Sequence, residues 1–358
     1  MIPIYLLTDY KSRFGSKWKD KPYRSGFDKI MLADAFSRYD LRVEYVPFSN
    51  AFAESRQWKK QLVLYTSIEE IGNTYKGYIE DIVYGLKEAG AYVLPRAAFL
   101  RANNNKVFME TMRDNLLGAE LAGLKSFCFG TLEELQVALQ KNSISFPCVI
   151  KSSYGAMSTG VACAKSAEEL CNEARIISRT PHYIHEFKEY VRSKKKSIQG
   201  YIPESRYQGK FIVQPMIEGL DGDWKVLVYG DQYYVLKRHV RPGDFRASGS
   251  HVNYLAGKDS GIPEAALDMV EEIYNKLNVP HLSVDVVYDG KRPYLIEFQA
   301  VYFGTATQAE FCEDYFTKQD GKWKVLKKTM NQEEVYAWSV THYIQHHPEL
   351  VPSIMNKK

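Results

Sequence analysis

The stretch that decides the fold is residues 146–161, which read Phe-Pro-Cys-Val-Ile-Lys-Ser-Ser-Tyr-Gly-Ala-Met-Ser-Thr-Gly-Val. An apolar segment ends in Lys151, a loop of small residues follows, and a second strand begins near Val161. Backbone N–H groups in such a loop can approach an anion closely, and the lysine adds a full positive charge. Because the loop joins two strands, it is neither a Walker A loop nor a dinucleotide-binding fingerprint. The pattern predicts either a phosphate site or an ordinary hairpin with a surface lysine.

A second strand pair, residues 283–299, carries acids among apolar side chains. Its two apolar segments flank Asp289-Gly290, a strong hairpin signal. Asp285 lies in the first strand, and Glu297 and Gln299 share one face of the second. An acid in so apolar a strand is costly unless it is paired or bound to metal, and these oxygen donors suit Mg²⁺. We expect a magnesium site here; the alternative is a hairpin with one solvated polar face.

Two further segments carry chemistry. The apolar strand at 211–217 breaks at Glu218-Gly219, and such a break leaves backbone groups that can bind the edge of a flat heterocycle. A plain edge strand is the alternative. Residues 233–249 place four cations after a strand, which is either a convergent anion site or a solvated charged surface. These cations are Lys237, Arg238, Arg241 and Arg246.

Composition limits the class of protein. The 358 residues predict two or three domains, and 45% hydrophobic with 25% charged residues is typical of a globular chain. A formal charge of +4 argues against a nucleic-acid partner but permits anionic ligands. No apolar run reaches the roughly 18 residues needed to cross a bilayer, so no membrane partner is expected. The N-terminal segment is typical of a core strand, and five cysteines without a CxxC pair predict free thiols and a cytoplasmic protein.

The order of predicted elements gives an α/β (α+β) fold in three parts. Residues 1–100 are predicted to form a parallel α/β domain, with strands that alternate with helices. Residues 101–210 carry a helix at 105–121, a capping box at Thr131 and Glu134, and a β-rich stretch at 146–164. Their last part, the polar and basic segment 183–210, is interpreted as an insertion or mobile loop. Residues 211–358 are predicted to carry five apolar strands and helices at 263–277 and 332–346.

In this order the four segments resemble the ATP-grasp superfamily, and most closely its carboxylate–amine ligases, over residues 100–347. The resemblance implies that the N-terminal domain precedes two α+β subdomains that clasp ATP, with Mg²⁺ or Mn²⁺ as the metal. Lys106 and Lys151 resemble the two nucleotide-binding lysines of the family. The resemblance also implies an adenine-binding segment, Gln214, Met216 and Ile217, and a ribose-binding acid, Asp223.

The same resemblance assigns the remaining site residues. Asp285, Glu297 and Gln299 fall at the family's magnesium-ligand spacing, twelve and then two residues apart. The last of these positions is commonly Asn in the family, and the longer arm of Gln299 displaces the ligating oxygen. Lys237 and Arg238 resemble the basic pair near the γ-phosphate, and Arg246 resembles the arginine of the following loop. These three cations are the candidate catalytic residues.

The resemblance implies an ATP-dependent ligase that activates a small-molecule carboxylate as an acyl phosphate and passes it to an amine. Two other interpretations stay open: an ATP-grasp kinase that phosphorylates a small molecule, and a nucleotide-binding module without catalytic activity. The presence of both lysines and both metal carboxylates disfavours the last. The sequence names neither substrate and leaves a homodimer open.

Overall fold

A computed structural model describes residues 1–15, 25–53, 57–68, 70–155, 160–195, 200–241, 243, 246 and 253–351. By contacts, this chain divides into two compact units. The first comprises Met1–Asn103, Arg113–Gly123 and Gly219–Lys358, and the second Asn104–Met112 and Leu124–Glu218. The three-part division expected from the sequence stays a prediction. None of the described helices is both long and apolar enough to cross a membrane, and none of the five cysteines forms a disulfide.

The first unit begins with a parallel sheet, as the alternating pattern predicts. Its described strands run in the order β2-β1-β3-β4, and every pairing is parallel. Helix α1 begins where the Asp28 carboxylate accepts hydrogen bonds from the N–H groups of Ile30 and Met31. The elements are β1 (Ile2–Thr8), α1 (Lys29–Ser37), β2 (Leu41–Pro47), β3 (Leu62–Leu64), α2 (Thr74–Glu88), β4 (Tyr92–Leu94) and α3 (Ala97–Ala102).

The second unit is built on an antiparallel sheet. Its described strands run in the order β5-β8-β6-β7, and the predicted capping box at Thr131 and Glu134 is present. The expectation of a loop over 183–210 is wrong for its first part, because residues 183–194 form helix α7. In chain order, the elements of this region are α4 (Lys106–Ala122, interrupted at Gly118), β5 (Phe127–Phe129), α5 (Leu132–Gln140), β6 (Cys148–Ser152), β7 (Val161–Ala164), α6 (Ala167–Ser178), α7 (Tyr183–Lys194) and β8 (Phe211–Pro215).

The rest of the first unit holds a larger antiparallel sheet, whose main path among the described strands is β13-β12-β9-β10-β14-β15, with β11 paired to β10. The hairpin of β14 and β15 is not among the strands expected from the sequence. Helix α9 packs its residues Tyr336, Ala337 and Val340 into the core beneath the parallel sheet. The elements are β9 (Gly222–Tyr229), β10 (Gln232–His239), β11 (Leu255–Ala256), α8 (Glu264–Leu277), β12 (His281–Tyr288), β13 (Pro293–Gln299), β14 (Asp314–Gln319), β15 (Lys322–Lys327) and α9 (Gln332–His346).

Candidate active site

The start of α4 is tied to the small-residue loop that follows β6, within the second unit. The Lys106 ammonium donates to the carbonyl of Gly155 at 3.0 Å, and the Lys106 N–H donates to the carbonyl of Ser153 at 2.9 Å. Two asparagines complete the link: Asn104 Oδ1 accepts from the Gly155 N–H at 2.8 Å, and Asn105 Oδ1 accepts from the Ser153 hydroxyl at 3.0 Å. The Lys106 ammonium and the N-terminal end of the α4 dipole place positive charge beside this loop, an arrangement that suits a phosphate. Residues 156–159 lie outside the described chain.

Lys151 lies near the end of β6, the strand between β7 and β8. Its cross-strand neighbours are Val161 and Ile212. The loop closes where the Ser152 N–H donates to the Gly160 carbonyl at 2.7 Å. Gly160 has a left-handed φ of +69°, and a Cβ there would lie 2.8 Å from Ser152 Cβ, so the close turn requires glycine. Lys106 and Lys151 therefore flank the same loop, one at the helix start and one at the end of β6.

The predicted adenine segment begins at Gln214, near the end of β8, and its polar groups have protein partners. The Gln214 amide is buried and donates to Ser126 Oγ at 2.8 Å and to Glu110 Oε1 at 3.3 Å. The Met216 N–H donates to the Pro147 carbonyl at 3.2 Å. In this structure the Gln214 side chain links β8 to α4, and the binding of a base by Gln214, Met216 and Ile217 stays a prediction.

One face of the larger sheet concentrates charge across four strands. Cross-strand partners share a face, and the register pairs Asp223 with Arg238, Lys225 with Asp285, and Asp285 with Glu297. The next pair on this face is Ser283 with Gln299, and the Lys225 ammonium donates to Ser283 Oγ at 2.8 Å. We call this set the polar sheet face; its members are Asp223, Lys225, Arg238, Ser283, Asp285, Glu297 and Gln299.

Arg238 lies at the centre of the polar sheet face. Its guanidinium binds both oxygens of Asp223 at 2.7 Å and Oδ2 of Asp285 at 2.8 Å, and all three residues are largely buried. Burial would lower the pKa of Arg238, but Asp285 and Asp223 raise it above its ordinary value. Burial would raise the pKa of Asp285, but Arg238 and Lys225 hold that pKa below its ordinary value. Arg238 is therefore a permanently charged bridge between two carboxylates.

Asp223 differs from Asp285 although both bind Arg238. Burial raises the pKa of Asp223 above its ordinary value despite the ion pair, and the charge of Asp285 adds to that rise. Because Arg238 occupies both of its oxygens, Asp223 would have to use its remaining lone pairs to bind a ribose hydroxyl. The predicted ribose contact stays a prediction.

The polar sheet face offers oxygen donors that fit a hard cation. Asp285 Oδ1 is fully buried, accepts no hydrogen bond, and has the Lys225 ammonium 3.6 Å away. The Gln299 amide lies 3.4 Å from Glu297 Oε1, which places the two side chains together. Two carboxylates and an amide oxygen are a donor set that Mg²⁺ accepts. No group of three His, Cys, Asp or Glu within the described ranges is arranged to hold a metal, and the magnesium site at Asp285, Glu297 and Gln299 stays a prediction.

Lys237 and Arg246 are not members of the polar sheet face. Lys237 precedes Arg238 on β10 and so faces the opposite side of the sheet. Its ammonium binds Asp221 at 2.8 Å and lies 4.6 Å from the centre of the Trp224 ring. Arg246 is exposed, and most residues around it lie outside the described chain. The catalytic roles of Lys237, Arg238 and Arg246 stay predictions.

Sequence reasoning missed several residues that organise the site. Asn104 and Asn105 hold the loop that follows β6, and their signal is the run of three asparagines before Lys106. Glu110 and Ser126 anchor Gln214, and neither carries a sequence signal that separates it from an ordinary surface residue.

Comparison with known proteins identifies the fold. No protein-family model and no curated protein sequence matches the chain. Among solved structures, D-cycloserine synthetase DcsG is 12% identical with a TM-score of 0.54, over 95% of this chain and 98% of that one. The ADP complex of purK, N5-carboxyaminoimidazole ribonucleotide synthetase, is 11% identical with a TM-score of 0.50, over 85% of this chain and 71% of that one.

The chain therefore has the mixed α/β fold of the ATP-grasp superfamily. At these identities the likeness establishes the fold alone. It confirms the resemblance to the ATP-grasp superfamily at the level of the fold.

Proposed function

We propose that the chain is an ATP-dependent ligase that joins a small-molecule carboxylate to an amine and releases ADP and phosphate. The observation that carries the proposal is the direct cross-strand pairing of Asp285 with Glu297 in a chain of the ATP-grasp fold. Two acids opposite each other in apolar strands are costly in a purely structural sheet, whereas they suit a site that handles Mg²⁺ and phosphate. Gln299 lies beside them as a neutral third donor.

Lys106 and Lys151 would bind the phosphates of ATP. Both flank the loop after β6, and the positive end of the α4 helix dipole lies beside the same loop. A positively charged frame of this kind stabilises the charge that develops on a transferring phosphoryl group.

Asp285, Glu297 and Gln299 would hold Mg²⁺, and Asp285 would remain anchored by Arg238. When bound, the metal would supply positive charge to the phosphate oxygens of ATP. The Arg238 bridge fixes the orientation of Asp285 and keeps it ionised, so the site is charged before substrate arrives.

The reaction has two steps. An oxygen of the substrate carboxylate attacks the γ-phosphorus, the bond to the β–γ bridging oxygen breaks, and ADP leaves with that electron pair. The amine nitrogen then attacks the carbonyl carbon of the acyl phosphate, phosphate leaves, and the amine loses a proton. Arg246 is the proposed cation for the transferring phosphoryl group. No protein nucleophile is required, which agrees with the lack of any Ser/His/Asp or Cys/His motif in the sequence.

Hydroxylamine trapping tests this proposal. Purified protein is incubated with ATP, Mg²⁺ and a panel of small carboxylates, with hydroxylamine in place of the amine, and ADP and hydroxamate are measured together. Hydroxamate that forms in step with ADP supports the ligase. ADP that accumulates with a stable phosphorylated product and no hydroxamate rejects it in favour of a kinase. In the same assay Glu297→Gln should abolish the formation of ADP and hydroxamate. Its matched control is Asp289→Asn, in the exposed turn of the same hairpin, which should leave the rate unchanged.

A further inference from the structure

Helix α7 attaches to its unit through polar side chains. Glu189 is 4% exposed and accepts hydrogen bonds from the Tyr201 hydroxyl at 2.5 Å, the Arg192 guanidinium at 2.6 Å and the Glu204 N–H at 3.1 Å. One turn earlier, Glu186 pairs with Arg179 at 2.6 Å. The Tyr201 hydroxyl and the Glu204 N–H are the main groups that hold the pKa of Glu189 at about 2. The inner face of α7 is therefore ionic at any physiological pH.

The outer face of α7 is apolar. Tyr183 and Ile184 are each 77% exposed, Phe187 is 67% exposed and Tyr190 is 55% exposed. With Val191 they recur at spacings of three and four residues, which places them on one side of the helix. We call these five residues the α7 stripe.

This arrangement inverts the usual one. A surface helix normally buries its apolar side and exposes its charged side, because burial of apolar area is the main source of its stability. Aromatic side chains carry about 150–250 Å² each, so the three in the α7 stripe expose on the order of 400 Å². Contiguous apolar patches of several hundred Å² mark interaction sites on soluble proteins.

The sequence of the α7 stripe is complementary to itself when reversed. Two antiparallel copies centred on Phe187 place Tyr183 of one copy opposite Val191 of the other, and Ile184 opposite Tyr190. Phe187 then meets its own counterpart at the twofold axis. Each pair joins an aromatic to an aliphatic residue or two aromatic rings, which are favourable contacts. Antiparallel packing also places the N-terminal end of each helix dipole beside the C-terminal end of the other.

We propose that the α7 stripe is the contact surface for a second copy of this chain, in an antiparallel α7–α7 dimer. The aromatic and aliphatic areas together approach the roughly 800 Å² per partner of a stable interface, which favours a weak, reversible dimer. Lys188 lies at the edge of the stripe near the axis, so the two copies bring like charges together there. Screening by salt should therefore strengthen the dimer, whereas it would weaken binding to an acidic peptide or an anionic membrane.

Sedimentation velocity on the full chain tests the proposal over about 1–100 µM protein. The parent should sediment as a concentration-dependent monomer–dimer mixture, with more dimer at 0.5 M than at 0.05 M salt. Phe187→Asp should weaken the dimer at least tenfold. Ile176→Asp is the matched control, because Ile176 is 72% exposed on α6 outside the stripe, and this variant should behave as the parent does. A monomeric parent throughout this range, or a Phe187→Asp variant that dimerises normally, overturns the proposal.

Cross-linking tests the register. A mixture of Tyr183→Cys and Val191→Cys proteins should be joined by a bismaleimide that spans roughly 8–10 Å, the distance between packed helix axes. Each variant alone should be cross-linked much less. In a parallel dimer, each variant alone would be cross-linked and the mixed pair would not. Binding to vesicles with and without anionic lipid is the last measurement. If the parent stays monomeric and binds vesicles, and Phe187→Asp removes that binding, the stripe is a membrane-binding surface and the proposal is overturned. None of these readouts depends on ligase activity.

Discussion

Loss of the Arg238 guanidinium should destabilise the first unit severely. Arg238→Met keeps much of the side-chain volume but leaves Asp223 and Asp285 buried without their shared cation. The contacts that disappear are three charged hydrogen bonds of 2.7–2.8 Å in a largely buried setting. Removal of one partner from a buried ion pair costs roughly 3–5 kcal/mol, because the remaining charge is uncompensated. We expect a loss in that range, since Lys225 still compensates Asp285 in part.

The pH dependence identifies the cause. Without Arg238, burial should raise the folded-state pKa of both carboxylates above the unfolded value, so the unpaired charges destabilise the variant most at neutral pH. As the pH falls through those raised values, both groups take up protons and the penalty is relieved. The stability difference between parent and variant should therefore shrink toward pH 4. A variant destabilised only by poor packing would show a constant difference.

Urea denaturation followed by circular dichroism between pH 4 and 8 measures both effects. The double variant Arg238→Met, Asp223→Asn should recover part of the loss, because one of the two uncompensated charges is gone. Arg238→Lys keeps a charge and provides a folded comparison if the methionine variant does not fold. A loss below about 1 kcal/mol at pH 7, which is the scale of an exposed ion pair, would refute the view that Arg238 is a buried structural bridge.

Four further predictions concern individual residues. Glu297→Gln should abolish turnover while circular dichroism stays unchanged, and Mg²⁺ should raise the thermal midpoint of the parent but not of this variant; near-normal activity contradicts the metal assignment. Lys151→Ala should weaken ATP binding at least tenfold by calorimetry, since a charge-assisted contact is worth roughly 1.5–3 kcal/mol. Lys165→Ala, on the exposed turn after β7, is its control. Equal ATP affinities of Lys151→Ala and the parent would mean that Lys151 is a surface residue without a role in ATP binding. Gln299→Ala should raise the Mg²⁺ concentration needed for activity, and Gln299→Asn should be tolerated at least in part; identical magnesium titrations of Gln299→Ala and parent remove Gln299 from the ligand set. Burial lowers the pKa of His281 to about 3, so its contribution to stability is full above pH 6.5 and is lost as the pH falls toward 3. His281→Gln should therefore reduce the slope of unfolding free energy against pH in that window by up to about 1.4 kcal/mol per pH unit. An unchanged slope would mean that the histidine titrates normally.

The fold could be predicted because its patterns are local. The alternation of strands and helices over the first hundred residues, the capping box at Thr131 and the hairpin turn at Asp289-Gly290 each depend on a few neighbouring residues. The pairing of Asp285 with Glu297 is not accessible in this way, because uniform counting from the turn would pair Asp285 with Ile296, and a β-bulge between Asp285 and Val286 shifts the register by one residue. That Asp285 and Glu297 lie opposite each other therefore depends on the bulge, which the sequence pattern does not reveal.

The error over residues 183–194, which form a helix and not the expected loop, has a definite physical cause. Amphipathic periodicity indicates a helix only when its apolar side is assumed to face the core, and α7 has the opposite arrangement. Its basic composition is therefore typical of a solvated loop. The acids that anchor it, Glu186 and Glu189, bind Arg179, Tyr201 and the backbone of Glu204. These three partners lie outside the helix, seven to fifteen residues from the acids they bind, so the spacing within the helix does not reveal them.

The different roles of Lys237 and Arg238 can be assigned only from the structure of the sheet. Adjacent residues on a strand face opposite sides, so one motif divides between two environments. Arg238 joins Asp223 and Asp285 on the polar sheet face, while Lys237 packs on Trp224 on the other. No spacing rule identifies which side is buried against acids, because Asp223 lies on the preceding strand and Asp285 lies on β12, 47 residues further along the chain.

The position of Arg238 changes how the site can be understood. A cation that binds phosphate directly must give up solvent or protein partners when ATP arrives, whereas Arg238 has two carboxylates that fix it in place. Its charge instead keeps Asp285 ionised inside an apolar sheet, which lets a buried acid remain available to a metal. Replacement of Arg238 should therefore lower the affinity for Mg²⁺ as well as stability, while the affinity for ATP without metal is preserved. Calorimetry with ATP in the presence of EDTA separates these effects: a large loss of metal-free ATP affinity in Arg238→Lys would instead make Arg238 a direct phosphate ligand.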